Sequence, residues 1–263
     1  MTNVAITLSV VSHGQLELVS ALLHDLHTYC NASSFEVILT LNVPEILPMA
    51  FSQLSFPVKI LRNSTPLGFG ENHNRAFQIA SGDFFCVINP DIRIASNIFP
   101  ALMGALDDTS LGVVGPMVLD SEGVIEDSAR RFPTPWKIFC KAVGTHKRQD
   151  YAIEDAHVYP DWIGGMFMLF RREGFKDMVG FNQKFFLYYE DVDICARVWL
   201  KGLRVALLPE VHVVHLARRR SHKNLRFLAM HVKSMGKFFF SVTFILVMLR
   251  RIGVEKNIFM SIK

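Results

Sequence analysis

The 263-residue chain predicts an α/β fold with a mostly parallel central sheet and helices on both faces. Three observations carry this. Val4 to Val11 is a near-continuous apolar run, the pattern of a strand covered on both faces. "LELVSALLHDLH" follows it and puts Leu16, Val19, Leu23 and Leu26 on one helical face. Strand-like and helix-like stretches then alternate as far as Asp120, which implies crossover connections between parallel strands.

The elements follow in order. "FEVILTLN" and "PVKILRN" read as the second and third strands, "NHNRAFQIAS" as a helix and "DFFCVIN" as a fourth strand. "NIFPALMGALDD" is a helix and "GVVGPMVLD" a further strand. From Ser121 to Asp161 periodicity fails, and a long irregular segment of that kind is functional or disordered. "WIGGMFMLFRR" resumes as a strand. "EDVDICARVWLKG" is a helix with Val192, Cys195, Ala196 and Trp199 on one face and Gly202 as its stop. "LRVALLPEVHVVHL" gives one or two late strands. The division expected is a domain over 1–217 and a basic-amphipathic helical extension over 218–263.

Half of the residues are hydrophobic and 20% are charged, which suffices for one large or two small domains and excludes a disordered chain. The formal charge of +4 is modest, but basic residues thicken after position 197. Cys30, Cys86, Cys140 and Cys195 are far apart and form no Cys-x-x-Cys pair, so a disulfide framework or zinc ribbon is not expected. No basic region precedes the first apolar run, which argues against a signal peptide. In "KFFFSVTFILVMLRR" the apolar core runs from Phe238 to Leu249, short of the roughly 20 residues that span a bilayer. It reads either as a buried core helix or, from its basic flanks, as a helix lying in a membrane interface.

Ligands of open parallel sheets bind beyond the carboxyl ends of the strands. Four stretches fall there: "SVVSHG", "RNSTPLGFGENHNRAF", "NPD" ending at Asp91, and "YYEDVDIC". In the second, Gly68 and Gly70 beside Asn72 and Asn74 suit either a capped glycine-rich turn or a phosphate-bearing ligand at a helix start. Asp91 reads either as a turn residue or as a ligand of a divalent cation on a diphosphate. Glu190, Asp191 and Asp193 suit the amino end of a helix dipole, or a general base raised by its acidic neighbours. His215 closes the late apolar strand, on the opposite face from His212, either as a structural residue or as a metal ligand. Arg130 and Arg131 are either solvated or phosphate-binding.

Taken in order, "LGFGENHNRAF", "NPD", "WIGGMFMLFRR", "FLYYEDVDIC" and "VVHLARRRS" resemble the family 2 inverting glycosyltransferases of GT-A fold over about residues 4–225. More narrowly they resemble bacterial rhamnosyltransferases of O-antigen and related polysaccharide assembly. The resemblance implies that Asp91 binds Mg²⁺ or Mn²⁺ with His215 as second ligand. Asn89 stands where the family's motif often has its first Asp. Asp191 would be the base, with Glu190 placing the acceptor. Ser9, Val11, Asn42 and Asn72 would lie near the nucleoside. Asn42 replaces an acidic residue often found there, and Glu71 replaces a small one.

The implied reaction moves a sugar, L-rhamnose from dTDP-β-L-rhamnose, to a GlcNAc-diphospho-lipid or growing glycan. The implied partners are a nucleotide-sugar donor, a lipid-linked acceptor and, through the tail, a membrane surface. Nucleic acid is not expected beside this fold. The place expected is the cytoplasm, peripheral on the inner face of the bacterial cytoplasmic membrane. Two other classes compete. A sugar nucleotidyltransferase needs a glycine-rich basic loop after the first strand, where this chain has "SVVSHGQLE". A non-catalytic membrane-surface protein would not need the acidic motifs.

Overall fold

The computed structural model describes residues 4–30, 34–47, 51, 54–142, 150–151, 157–216 and 225–261. The first half holds β1 (Ile6–Ser12), α1 (Leu16–Tyr29), β2 (Phe35–Leu41), β3 (Val58–Arg62), α2 (Phe69–Gln78), β4 (Phe84–Ile88), β5 (Ile92–Arg93), α3 (Phe99–Ala105) and β6 (Leu111–Leu119). Next come β7 (Ala129–Arg130), α4 (Pro135–Ala142), β8 (Trp162–Ile163), β9 (Phe167–Arg171), α5 (Arg172–Asp177), α6 (Glu190–Leu200) and β10 (Arg204–His215). Two helices close the chain, α7 (Leu225–Phe239) and α8 (Val242–Ser261).

Eight strands form one sheet in the order β3-β2-β1-β4-β9-β6-β10-β5. β3, β2, β1, β4, β6 and β10 run in one direction, while β9 and β5 run against them. The mostly parallel expectation therefore holds, with a correction at the "MFMLFRR" strand. An apolar run reports burial on both faces but not direction, and β9 lies antiparallel between β4 and β6. The reversal has a use, because β9 and β5 begin at the edge where the parallel strands end.

The sheet separates two apolar layers. Val19, Leu22 and Leu26 of α1 and Phe99 and Leu102 of α3 pack with Leu8, Leu39 and Ile88 on one side. Ala76 of α2, Phe175 of α5, Val192 and Cys195 of α6, Phe238 and Val247 pack with Phe85, Val87 and Phe170 on the other. Burying one such side chain contributes about 1.5–3 kcal/mol, so both layers are large terms. α6 stops as expected: Gly202 takes φ +82°, and the Gly202 and Leu203 amides bond back to Trp199 and Val198.

The tail packs on this second layer. Phe238 and Val247 are fully buried, and Arg250 donates to the Trp199 and Leu200 carbonyls at 3.0 and 2.9 Å, closing the carboxyl end of α6. Among the described residues no single helix is long and apolar enough to cross a membrane; α7 and the start of α8 pass by length and composition only as a pair bent by 56°. The expected boundary at 217/218 and the "ARRRS" run lie outside the described residues.

Candidate active site

The carboxyl edge of the sheet is organised around two acids. The first, Asp91, sits in the turn between β4 and β5. Asn89 shapes that turn: its amide donates to the Met166 carbonyl at 2.9 Å, and its carbonyl accepts from the Ile92 amide at 3.3 Å. β5 pairs with the end of β10, His215 opposite Ile92, and the Leu216 amide donates to the Asp91 carbonyl at 2.8 Å. That pairing sets His215 Nε2 3.3 Å from Asp91 Oδ2. Asp91 Oδ1 is buried and has no hydrogen-bond partner.

His215 also meets a residue that the sequence did not single out. Its Nδ1 lies 2.9 Å from Glu126 Oε2. Glu126 arrives because the chain folds back after β6: Asp120 Oδ1 accepts from the Glu122 and Val124 amides, and Gly123 takes φ +78°. Burial opposes a charge on His215, but hydrogen bonds and charges from Asp91 and Glu126 outweigh it and lift its pKa to about 9.

The second acid, Asp191, stands in the first turn of α6. The Gly165 amide donates to Oδ2 at 3.0 Å and the Val192 amide to Oδ1 at 2.8 Å. Burial raises its pKa, and these amides with the Arg130 charge oppose the rise. Gly165 lies in the turn between β8 and β9, next to the Met166 that holds Asn89. The Asp91 turn and Asp191 are thus bonded to consecutive residues of one short connection. A Cβ on Gly165 would lie 3.4 Å from the Asp191 Cβ and 3.5 Å from the Phe69 ring.

The residues before Asp191 explain its presentation. Tyr188 and Tyr189 take φ +68° and +71°, a left-handed pair that non-glycine residues rarely adopt and that costs about 1–3 kcal/mol each. The same segment is fastened to α2: the Phe69 amide donates to the Phe186 carbonyl at 2.8 Å, and Asn74 clamps the Phe181 amide and carbonyl, both at 2.8 Å. A Cβ at Gly68 would fall 2.7 Å from the Phe186 carbonyl oxygen, and one at Gly70 would strike Phe181. Those two glycines serve close approach between "LGFGENHNRAF" and "FLYYEDVDIC". At this helix start the Phe186 carbonyl takes the Phe69 amide, one of the groups that a phosphate would use.

The acidic cluster at α6 separates into three roles. Glu190 is 5% exposed, and its Oε2 has no partner. Burial and then the Asp191 charge push its pKa well above the usual carboxylate range. Its Cβ lies 3.7 Å from where a Cβ on Gly70 of α2 would stand. Asp193 is fully buried in an ion pair with Arg197 at 2.8 Å. Of the three, Asp191 alone is half-buried rather than buried.

Among the nucleoside candidates, Val11 is half-buried near the end of β1. Ser9 departs from expectation: it is fully buried, its Oγ 2.8 Å from Nδ1 of the equally buried His73, and it has no surface to offer a ligand. Asn42 and Asn72 are also committed. Asn42 Oδ1 accepts from the Leu67 amide and from Asn63 Nδ2, both at 2.8 Å, and its Nδ2 donates to the Leu67 carbonyl at 3.0 Å. Asn72 donates to the Leu67 and Gly68 carbonyls and accepts from Asn63 at 2.7 Å. Asn63, at the centre, also accepts from Arg75. This network holds the Asn63–Gly68 loop in shape; its side-chain amides are spent on the loop.

Arg130 and Arg131 point apart. Arg130 stacks over Trp162 at 5.3 Å, pairs with Asp127 and opposes the rise in the pKa of Asp191. Arg131 is exposed and lies over Tyr151 at 5.6 Å.

A divalent cation fits the first acid. Asp91 Oδ1 is an open ligand atom, and carboxylate plus imidazole suits Mg²⁺ or Mn²⁺. Among the described residues no three His, Cys, Asp or Glu side chains form a cage for a metal, so water and substrate oxygens would complete the shell.

Comparison with known proteins agrees with this geometry. The family described as glycosyl transferase family 2 matches residues 40–179, and the N-terminal domain of galactosyltransferase matches 152–223. Rhamnosyltransferase WbbL of Escherichia coli K12 is 25% identical over 247 residues, 87% of this chain and 90% of that protein. The N-acetylglucosaminyl-diphospho-decaprenol L-rhamnosyltransferase of Mycobacterium tuberculosis is 27% identical over 212 residues, 72% of this chain and 68% of that protein. Among solved structures, GalNAc-T7 with UDP, GalNAc and Mn²⁺ superposes with a TM-score of 0.62 at 15% identity, covering 82% of this chain and 44% of that one. The mannosyltransferase PcManGT of Pyrobaculum calidifontis with GDP-Man and Mn²⁺ gives 0.60 at 15% identity, covering 90% and 64%. The chain spans less than two thirds of either structure's length, and at such identity the likeness shows the GT-A-like fold alone.

Proposed function

From the premise that this chain belongs to glycosyl transferase family 2 and is a glycosyltransferase, we propose an inverting transfer from a nucleoside diphosphate sugar to a lipid-linked glycan in bacterial surface polysaccharide synthesis. The donor proposed is dTDP-β-L-rhamnose, with a GlcNAc-diphospho-lipid as acceptor and an α-L-rhamnoside as product. The names of the two curated relatives support that choice. One observation carries the mechanism: Asn89 and Asp191 are bonded to adjacent residues, Met166 and Gly165, which sets the Asp91 turn and Asp191 beside one connection.

Asp191 takes the proton from the acceptor hydroxyl, and its raised pKa brings its basicity closer to neutral pH. Its two backbone hydrogen bonds fix the carboxylate so that reorientation costs little. Attack from the face opposite the diphosphate inverts the anomeric carbon, and no covalent enzyme intermediate is needed. Asp91 and His215 would hold Mg²⁺ or Mn²⁺, with Glu126 orienting the imidazole from behind. When bound, the ion would offset negative charge on the departing diphosphate. Arg130 is the phosphate-facing cation proposed for this edge.

The place proposed is the inner face of the cytoplasmic membrane, held peripherally by α7 and α8. From Ala217 to Val254 the chain has nine Lys and Arg and no Asp or Glu. Each basic residue close to an anionic surface contributes about 1 kcal/mol.

The test offers purified protein dTDP-L-rhamnose, Mn²⁺ or Mg²⁺ and a GlcNAc-diphospho-lipid. Metal-dependent formation of an α-linked product is expected. Undiminished transfer by Asp191→Asn would exclude Asp191 as base, and transfer from another sugar nucleotide alone would replace the donor.

A further inference from the structure

α7 and α8 each have two occupied faces. Inward, Ser234 Oγ donates to the Leu187 carbonyl at 2.8 Å, Lys237 reaches the Lys184 carbonyl, and Phe238 and Val247 are buried. Outward, Leu225, Leu228 and Val232 on α7 and Ile245, Leu249 and Ile252 on α8 are each half or more exposed. Their spacings of three, four and seven make a single stripe along each helix. Helices attached to α6 along one face cannot cross a bilayer without carrying the domain in. An apolar stripe in a segment with nine basic and no acidic residues is complementary to an anionic lipid surface lying against it.

The inward contacts fall on one place. The His231 ring lies 5.2 Å from the Tyr188 ring and 5.4 Å from the Tyr189 ring, and Tyr189 meets Phe238 at 5.6 Å. These are the two left-handed residues that lead into Asp191. α7 therefore braces the strained cap of α6 on one side and presents apolar surface on the other.

We infer that seating of α7 and α8 on an anionic bilayer sets the Tyr188–Tyr189 cap, with His231 as the positioning residue, so that Asp191 is held for transfer only at the membrane surface. The inference rests on the proposed membrane seat and on Asp191 as base. A left-handed pair is costly and persists only while its surroundings over-determine it. Restricting α7 at a surface adds to those surroundings, and loosening α7 in solution removes from them. The same enzyme would then turn over slowly on soluble acceptors and quickly on acceptors embedded in lipid.

The test reads the cap without any sugar donor. Amide hydrogen exchange over residues 184–193 is followed with full-length protein, free and with vesicles of equimolar phosphatidylglycerol and phosphatidylcholine. Vesicles are expected to slow exchange at 188–193 by about tenfold. Ile245→Glu with Leu249→Glu, whose side chains face away from the domain, is expected to abolish both sedimentation with vesicles and the slowing. His231→Ala should sediment normally yet lose most of the slowing, and His231→Phe should restore it. In transfer assays His231→Ala should lower kcat by about tenfold with the KM for the sugar nucleotide unchanged, the pattern of a residue acting in the transition state.

Vesicle binding without any change at 188–193 overturns the coupling and leaves the membrane seat standing. No vesicle binding overturns the seat. A dimer in solution that the two Glu substitutions dissolve would assign the stripe to a second copy of the chain and overturn the inference. Absence of transfer with every sugar nucleotide would overturn the proposed reaction while the exchange result stood.

Discussion

Glu36 and Glu190 are both buried glutamates on one domain, near opposite edges of its sheet. Glu36, at the amino edge, has every oxygen engaged. Oε1 accepts from Thr7, from Ser81 Oγ at 2.8 Å and from the Ser81 amide at 2.7 Å, and Oε2 lies 2.7 Å from Lys59 Nζ. Burial alone would raise its pKa; Lys59, Ser81 and Thr7 bring it below the ordinary value. Glu190, by the carboxyl edge, keeps one oxygen unpartnered and its pKa far above that value, and Asp91 keeps Oδ1 open too. Where a carboxylate only holds strands together, the fold surrounds it with hydrogen-bond donors. Near the carboxyl edge, Glu190 and Asp91 each keep one oxygen without a partner, while Asp191 has both oxygens bonded to backbone amides.

Asp191→Asn is expected to lower the transfer rate by about 10³-fold or more and to cost about 1 kcal/mol of stability, since one backbone amide loses its acceptor. Asp91→Asn should cost about a hundredfold in kcat and about 1 kcal/mol of stability, since His215 loses its charged Oδ2 partner. Glu36→Gln should do the reverse: a loss of about 2–3 kcal/mol in denaturant unfolding, with kcat per folded molecule unchanged. A catalytic defect in Glu36→Gln that equalled its stability defect would break the comparison.

The pH dependences should run in opposite directions. Glu36, with its lowered folded pKa, contributes stability above the ordinary carboxylate pKa and loses it as pH falls through the folded value. Glu190, raised, contributes fully at acid pH and loses its contribution as pH rises toward its folded value. As pH rises above the ordinary carboxylate range, wild type should therefore lose thermal stability relative to Glu190→Gln, which carries no ionisable proton. The smallest effect is expected at the loop. Asn63→Ala should cost about 1–2 kcal/mol and raise the sugar-nucleotide KM severalfold at constant kcat, because it frees the Asn63–Gly68 loop without touching either acid.

Much of this was legible in the residues. The alternation to Asp120, the strand-end Asp91, the α6 start and the Gly202 stop follow from periodicity and from turn and cap chemistry. Direction was not legible, because β9 presents the same apolar run whether parallel or reversed. Ser9 was open to a better reading: it stands three residues before the end of β1 and therefore below the edge. Asn42 and Asn72 could not be assigned their partners from the sequence, because an amide's partners are set by tertiary approach, here to the centrally placed Asn63. Glu126 was hidden in a stretch without periodicity. The left-handed tyrosines had no signal at all, since residue type argues against that backbone.

The reversed strand β9 also has a consequence for biosynthesis. β3, β2, β1 and β4 come from the first 88 residues and assemble as neighbours, whereas the next strand beside β4 begins only at Phe167. Until the ribosome has released that strand, β4 is an open edge with unpaired amides and carbonyls. The Gly165–Met166 connection that joins the two acids arrives in the same stretch. Nascent chains halted before residue 160 should therefore engage chaperones or aggregate, and chains halted beyond β10 should not, a difference that ribosome-display solubility would read. The strand that completes the proposed active site is also the one that makes the growing protein safe to release.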